Sequence, residues 1–184
     1  MKTMKTMKAV GGKQSGFTLV ESLVVLGILA VFIGAVVALA GGTSATQVAQ
    51  TEARILDSAA SKLKNVYNAR PTFAGLNTAV ANDLEVWNAS MGDPAVNTFG
   101  GVIQVQTPPD QPKGAAAAGA RQFQMDWPSV THASCPELAS AASGAIGVDV
   151  DGAEVYNEGV SPLDVGAIAA NCAEGVTVSF IYSK

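Results

Sequence analysis

Residues Lys13–Ala40 read KQSGFTLVESLVVLGILAVFIGAVVALA, and the rest of the chain is organised around this stretch. From Phe17 onward it holds twenty-four residues with one charge, Glu21, and no proline. A helix of that length, at about 1.5 Å per residue, covers roughly 36 Å against a hydrocarbon core of about 30 Å. Ahead of it lie Gly16 and a leader with lysines at positions 2, 5, 8 and 13. An ordinary secretory signal is cut after an apolar region of about 7–15 residues. Here the run is longer and the small residue precedes it, so a cut after Gly16 leaves the hydrophobic helix on the product. Lysines in the leader and none in the span favour a cytoplasmic leader and an exported C-terminus.

Glu21 carries the most physical information. A carboxylate inside a bilayer costs on the order of a few kcal/mol, so such residues usually have a partner and a function. A cut after Gly16 creates an α-amine at Phe17, less than two helical turns away and protonated near neutral pH. That amine and Glu21 can neutralise each other within one subunit or between neighbours. Between neighbours the pair also sets the axial register, because every other stagger leaves a buried charge unpaired. The bland alternatives are an interfacial acid snorkelling toward headgroups and a plain signal-anchor protein. The second does not explain Glu21.

The run Gly16-Phe17-Thr18-Leu19-Val20-Glu21, with the apolar helix behind it, resembles the type IV prepilin signature. The resemblance implies cleavage by a prepilin peptidase between Gly16 and Phe17 and N-methylation of the Phe17 amine. It implies a helix that serves first as a membrane anchor and then as the core of a filament, with Phe17 and Glu21 as assembly residues. It also implies a homopolymer, served by an inner-membrane platform protein and an assembly ATPase. The product would lie in the inner membrane before assembly and in an extracellular pilus, or fimbrium, afterwards. In that family the helix is locally unwound within the filament. Gly27, Gly34 and Gly41-Gly42 would be the places for it here, each costing about 0.5–1 kcal/mol of helix stability.

The chain has 184 residues and a net charge of -4, from 11 basic and 15 acidic side chains. All four leader lysines leave on cleavage, so the 168-residue product carries 7 basic and 15 acidic residues, or -8. An acidic exported domain argues against nucleic acid as its partner, since duplex binding rests on clustered Lys and Arg. The expected organisation is a leader over 1–16, a helix over 17–68 whose 17–40 part crosses the membrane and polymerises, and a head domain over 69–184. Cys135 and Cys172 are the only cysteines. In an exported domain one disulfide is the expected arrangement, worth on the order of 3–4 kcal/mol in the chain-entropy model, with two free thiols as the alternative.

Beyond Gly41-Gly42 an amphipathic helix is expected, its apolar stripe formed by Val48, Ile55, Ala59, Leu63 and Val66 and widened by Leu56 and Tyr67. Gln50, Glu52, Arg54, Lys62 and Lys64 fill its other faces, and Pro71 ends it. A short helix near Thr78–Ser90 and a strand over Gly101–Gln106 follow. The low-complexity run TPPDQPKGAAAAGA reads as an exposed, mobile loop. Strands are expected over Gln122–Trp127 and Gly175–Tyr182, and a hairpin turning at Asp151-Gly152. Ser134-Cys135-Pro136-Glu137 and Ser161-Pro162-Leu163-Asp164 each open a short helix. The fold class is α+β: the long N-terminal helix packed on an antiparallel sheet with short helices, the pilin fold of the resemblance. The late cysteine pair, the first opening a helix, resembles the type IVb subfamily, whereas Phe at the mature N-terminus is more usual in type IVa pilins and pseudopilins.

No catalytic constellation is visible, and no cofactor is expected. The single histidine, His132, gives a His-based metal cluster or a Ser-His-Asp triad little to work with. Asp149, Asp151, Gly152 and Glu154 resemble part of a calcium loop but lack its twelve-residue ligand spacing, and a hairpin turn explains them better. Trp87 and Trp127 are expected in the core in preference to an adhesive surface. The reading is a type IV pilus subunit acting in adhesion, motility or conjugation. A minor pilin or a type II secretion pseudopilin is the competitor. A DNA-uptake pilin would need a basic stripe, and a membrane-anchored enzyme would need chemistry the chain does not display.

Overall fold

The computed structural model describes residues 19–114, 119–141 and 143–184, and side chains at Leu19, Glu21 and 31–43 fall outside that description. Helix α1 runs over Leu19–Val66, and the chain divides into two compact units between Ala40 and Gly41. In the first unit Val20, Leu23, Val24, Val25, Leu26, Ile28 and Leu29 are all exposed. Among the described residues no helix is long and apolar enough to cross a membrane. The span expected over 17–40 lies partly outside them.

The second unit is a five-stranded antiparallel sheet with the later part of α1 against one face. Its strands are β1 (Gln104–Gln106), β2 (Gln122–Val130), β3 (Gly147–Val150), β4 (Ala153–Asn157) and β5 (Val176–Ser183), in the order β1-β2-β5-β3-β4. Short helices α2 (Thr78–Asp83), α3 (Cys135–Ala141) and α4 (Val165–Asn171) fill the connections. Alternation along β2 sends Phe123, Met125 and Trp127 to the helix side and Gln122, Gln124 and Asp126 to the other. Their partners on β5 follow the same rule: Phe123 pairs Tyr182, Met125 pairs Phe180 and Trp127 pairs Val178. The core adds Leu56 and Leu63 from α1, Phe73, Leu76 and Ile103. Phe73 meets Phe123 edge-on at 4.7 Å, and Phe123 stacks on Tyr182 at 5.4 Å.

The buried stripe of α1 is Ala49, Glu52, Ala53, Leu56, Ala59, Ala60 and Leu63, continued by Tyr67 in the turn just past its end, eight positions in all. The expected stripe is corrected at Val66, which is 52% exposed, at Val48, which is only half-buried, and at Glu52, while the half-buried Ile55 packs against the core as expected. Glu52, expected on a solvent face, is fully buried. Four of the eight buried positions are alanines. Small side chains let the helix backbone approach the sheet, so closeness selects the face where bulk alone would have chosen another. The hairpin turn forms at Asp151-Gly152, both in the left-handed region at φ 50° and 79°. That is the geometry for which an Asp-Gly pair is suited.

Candidate functional site

Gly16 and Phe17, the expected processing residues, lie outside the described residues, as does the side chain of Glu21. Three other places in the head hold the remaining chemistry.

The first is the cysteine pair. Cys135 opens α3 and Cys172 caps the C-terminus of α4, and the two are bonded with Cα atoms 5.6 Å apart. The bond joins the two helices that flank the β3–β4 hairpin. Leu138 N–H donates to the Ser134 carbonyl, starting α3 as the sequence pattern requires. The Ser134 hydroxyl, however, donates to the Ala45 carbonyl of α1 at 3.5 Å. Helix α4 is capped by Asp164, whose carboxylate accepts from Ala167 N–H at 2.9 Å. Ser161, three residues earlier, donates instead to Glu154. His132 sits in the turn before α3, its Nδ1 2.6 Å from the Cys172 carbonyl and its backbone N–H donating to the Glu174 carboxylate.

The second is Glu52. Its Oε2 accepts from Trp127 Nε1–H at 2.7 Å, and its Oε1 from Thr98 N–H at 3.1 Å and from the Thr98 hydroxyl. One carboxylate thereby ties α1 to β2 and to the loop before β1. Asn97 pins the same loop: its amide donates to the Pro128 carbonyl at 2.8 Å, and its Oδ1 accepts from Phe99 and Gly101. Gly101 is needed there, because a Cβ would lie 2.4 Å from the Pro128 carbonyl oxygen. Trp127 and Trp87 are both buried, edge to face at 6.0 Å, as core residues.

The third lies on the opposite face of the sheet. Lys113 is 2% exposed, although its loop was expected to be free in solvent. Its ammonium lies 2.8 Å from Asp149 Oδ1 and 2.8 Å from Glu154 Oε2. Its backbone is held by Gln122, which accepts from Lys113 N–H at 2.9 Å and donates to its carbonyl at 2.5 Å. Gly114 N–H donates to Asn157 at 2.7 Å, and Asp110 N–H to Gln124 at 3.1 Å. The segment is thus strapped across β2, β3 and β4 by side chains of the outer face. Burial raises the Asp149 carboxyl above the ordinary range, against the pull of Lys113. Glu154 is held below its usual value chiefly by the hydrogen bond from Lys113. Burial would lower the Lys113 ammonium, but the two carboxylates together outweigh it and raise it. A lysine nitrogen stands between Asp149 and Glu154, where a calcium ion would have had to bridge them. Among the described residues no group of three or more His, Cys, Asp or Glu is placed to hold a metal ion.

Sequence reasoning missed both Glu52 and Lys113. Glu52 shares a helical face with Ala49, Leu56, Ala59 and Leu63, a spacing legible once alanines count as contact residues. Lys113 is the one cation in its loop, with no signal of its own.

A family model described as PilS N terminal matches residues 18–183. The fold is similar to that of the type IVb pilin from Salmonella typhi, with TM-score 0.55, 17% identity, and coverage of 73% of this chain and 99% of that one. It is also similar to TcpA, a type IV pilin from Vibrio cholerae El Tor, with TM-score 0.56, 16% identity, and coverage of 74% and 99%. No curated protein matches the chain by sequence.

Proposed function

Because the chain belongs to the PilS family of type IV pilins, which are structural subunits and not enzymes, we propose that it is processed and polymerised as a pilus subunit. The observation that carries this is the family match over 18–183, which begins next to the Gly16–Phe17 junction and runs through the head. Prepilin peptidase cuts after Gly16, the Phe17 amine is methylated, and the 17–40 helix anchors the subunit in the membrane until assembly. The exposed apolar side chains from Val20 to Leu29 support burial of that helix against lipid or neighbouring helices. Pairing of the Phe17 amine with Glu21 of a neighbour sets the stagger. A platform protein and an assembly ATPase drive the polymerisation.

The test is the intact mass of the protein from membranes and from sheared surface material. A chain beginning at Phe17 with one added methyl, abundant in the sheared fraction, is the expected result. Confinement to membranes would identify a minor pilin or pseudopilin. A product retaining Met1–Gly16 would overturn the reading.

A further inference from the structure

We propose that Lys113 and Asp149 are the partners of an intramolecular amide cross-link, with Glu154 as the proton-transferring group. The proposal concerns the head alone and does not depend on how the N-terminus is processed.

Three features converge. The Lys113 nitrogen and Asp149 Oδ1 are 2.8 Å apart, with side chains 2% and 5% exposed. The carbonyl carbon lies one C–O bond beyond that oxygen, so a small rotation of the carboxyl group would bring it within the roughly 3–3.5 Å of a near-attack arrangement. The nitrogen is also 2.8 Å from Glu154 Oε2, within direct proton-transfer reach. Lys113 and Glu154 are each held from behind. Gln122 grips the Lys113 backbone, and the Lys113 side chain lies so close over Gly147 that a Cβ there would sit 2.3 Å from its Cγ. Glu154 is oriented by Asn157 at 3.0 Å and Ser161 at 3.0 Å.

The chemistry balances without an added reagent. Lys113 begins as an ammonium and Asp149 as a carboxylate. One ammonium proton passes across the 2.8 Å contact to Asp149 Oδ1, leaving a neutral amine against a carboxylic acid, and the amine lone pair attacks the Asp149 carbonyl carbon. The N–C bond forms, and Glu154 takes a second proton from the nitrogen and returns it to the departing hydroxyl. The C–O bond then breaks, and the two protons lost by nitrogen leave with that oxygen as one water. Nothing is oxidised or reduced. The driving force is local: an ion pair buried in low dielectric carries a desolvation penalty, and the amide removes both charges. Glu154 is 37% exposed on its side chain, which leaves a route for the water to depart.

Intact mass of the full chain after reduction of the disulfide, with peptide mapping, is the test. The expected result is a chain lighter by one water than its own N-terminus predicts, with the Lys113 and Asp149 peptides covalently joined. Lys113→Arg retains the positive charge and should restore the full mass. Glu154→Gln should leave Lys113 and Asp149 present but unjoined. Asp149→Asn offers a different leaving group, so any bond formed there would lighten the chain by one ammonia. A wild-type chain at its full reduced mass, with no joined peptide, overturns the proposal and leaves an ion pair only. Retention of the leader would show in the N-terminal peptide, separately from this result.

Discussion

On the helix side of the sheet, Glu52 is buried among neutral donors, the Trp127 indole and the backbone and hydroxyl of Thr98. On the outer side, Asp149 is buried against a lysine ammonium. The same strands supply both surroundings, since alternate residues of β2 point to opposite faces. The neutral donors fix position: three hydrogen bonds aim one carboxylate at two segments far apart in sequence, and a buried Tyr or Trp polar atom finds its partner. The lysine instead cancels charge on a surface that the helix does not cover, and in doing so pulls a loop onto it. One face is closed by a helix and the other by a strap.

Breaking the helix side should cost most. Trp127→Ala removes a fully buried ring and one of the Glu52 donors, and should lower stability by about 3–5 kcal/mol in a denaturant melt of the full chain in detergent. Next comes Glu52→Ala, which orphans the Trp127 and Thr98 donors and should cost about 1–3 kcal/mol. If Glu52→Ala were silent, water would be satisfying those donors and the contrast between the faces would fail. The strap is tested by Gly147→Ala. Its methyl would overlap Lys113 Cγ, so a cost on the order of 1 kcal/mol is expected, with protease cleavage appearing within 107–114.

The smallest effect near neutrality is expected from Tyr182→Phe. The Tyr182 phenol is raised well above 10.0, first by burial and then by Asp57 beside it. An unfolded tyrosine loses its proton near pH 10, while the native one retains it, so the native state binds more protons above that pH. Stability should therefore fall as pH rises from about 10 toward the native value. Tyr182→Phe should flatten this alkaline limb, and an unchanged limb would mean that another group is responsible.

Much of the architecture was legible because it rests on local chemistry. The Asp-Gly turn, the helix beginning at Cys135 and the β-branched final strand each carry their own signal within a few residues. The cysteine pair was legible because it is the only pair in the chain. What was not legible depends on distance. Helical spacing can place Glu52 on the buried face, but the partner that satisfies it there, Trp127, lies 75 residues later. Whether the Lys113 loop is free or strapped depends on Gln122, Asp149, Glu154 and Asn157, which come together only when the sheet forms. Trp127→Ala and Gly147→Ala therefore probe the two features that composition could not reveal.

The strand order has a consequence for the order of folding. Strand β5, Val176–Ser183, is last in sequence yet central in the sheet, between β2 and β3. Until residue 183 has been delivered, β2 has only the three-residue β1 beside it and the β3–β4 hairpin has no neighbour on its inner edge. Every contact across the middle of the sheet waits for the final strand, which makes closure a late, long-range event. Through that interval the inner edges of β2 and β3 are open templates for any other strand nearby. A subunit among copies of itself would thus be most exposed to mispairing until β5 has joined the sheet.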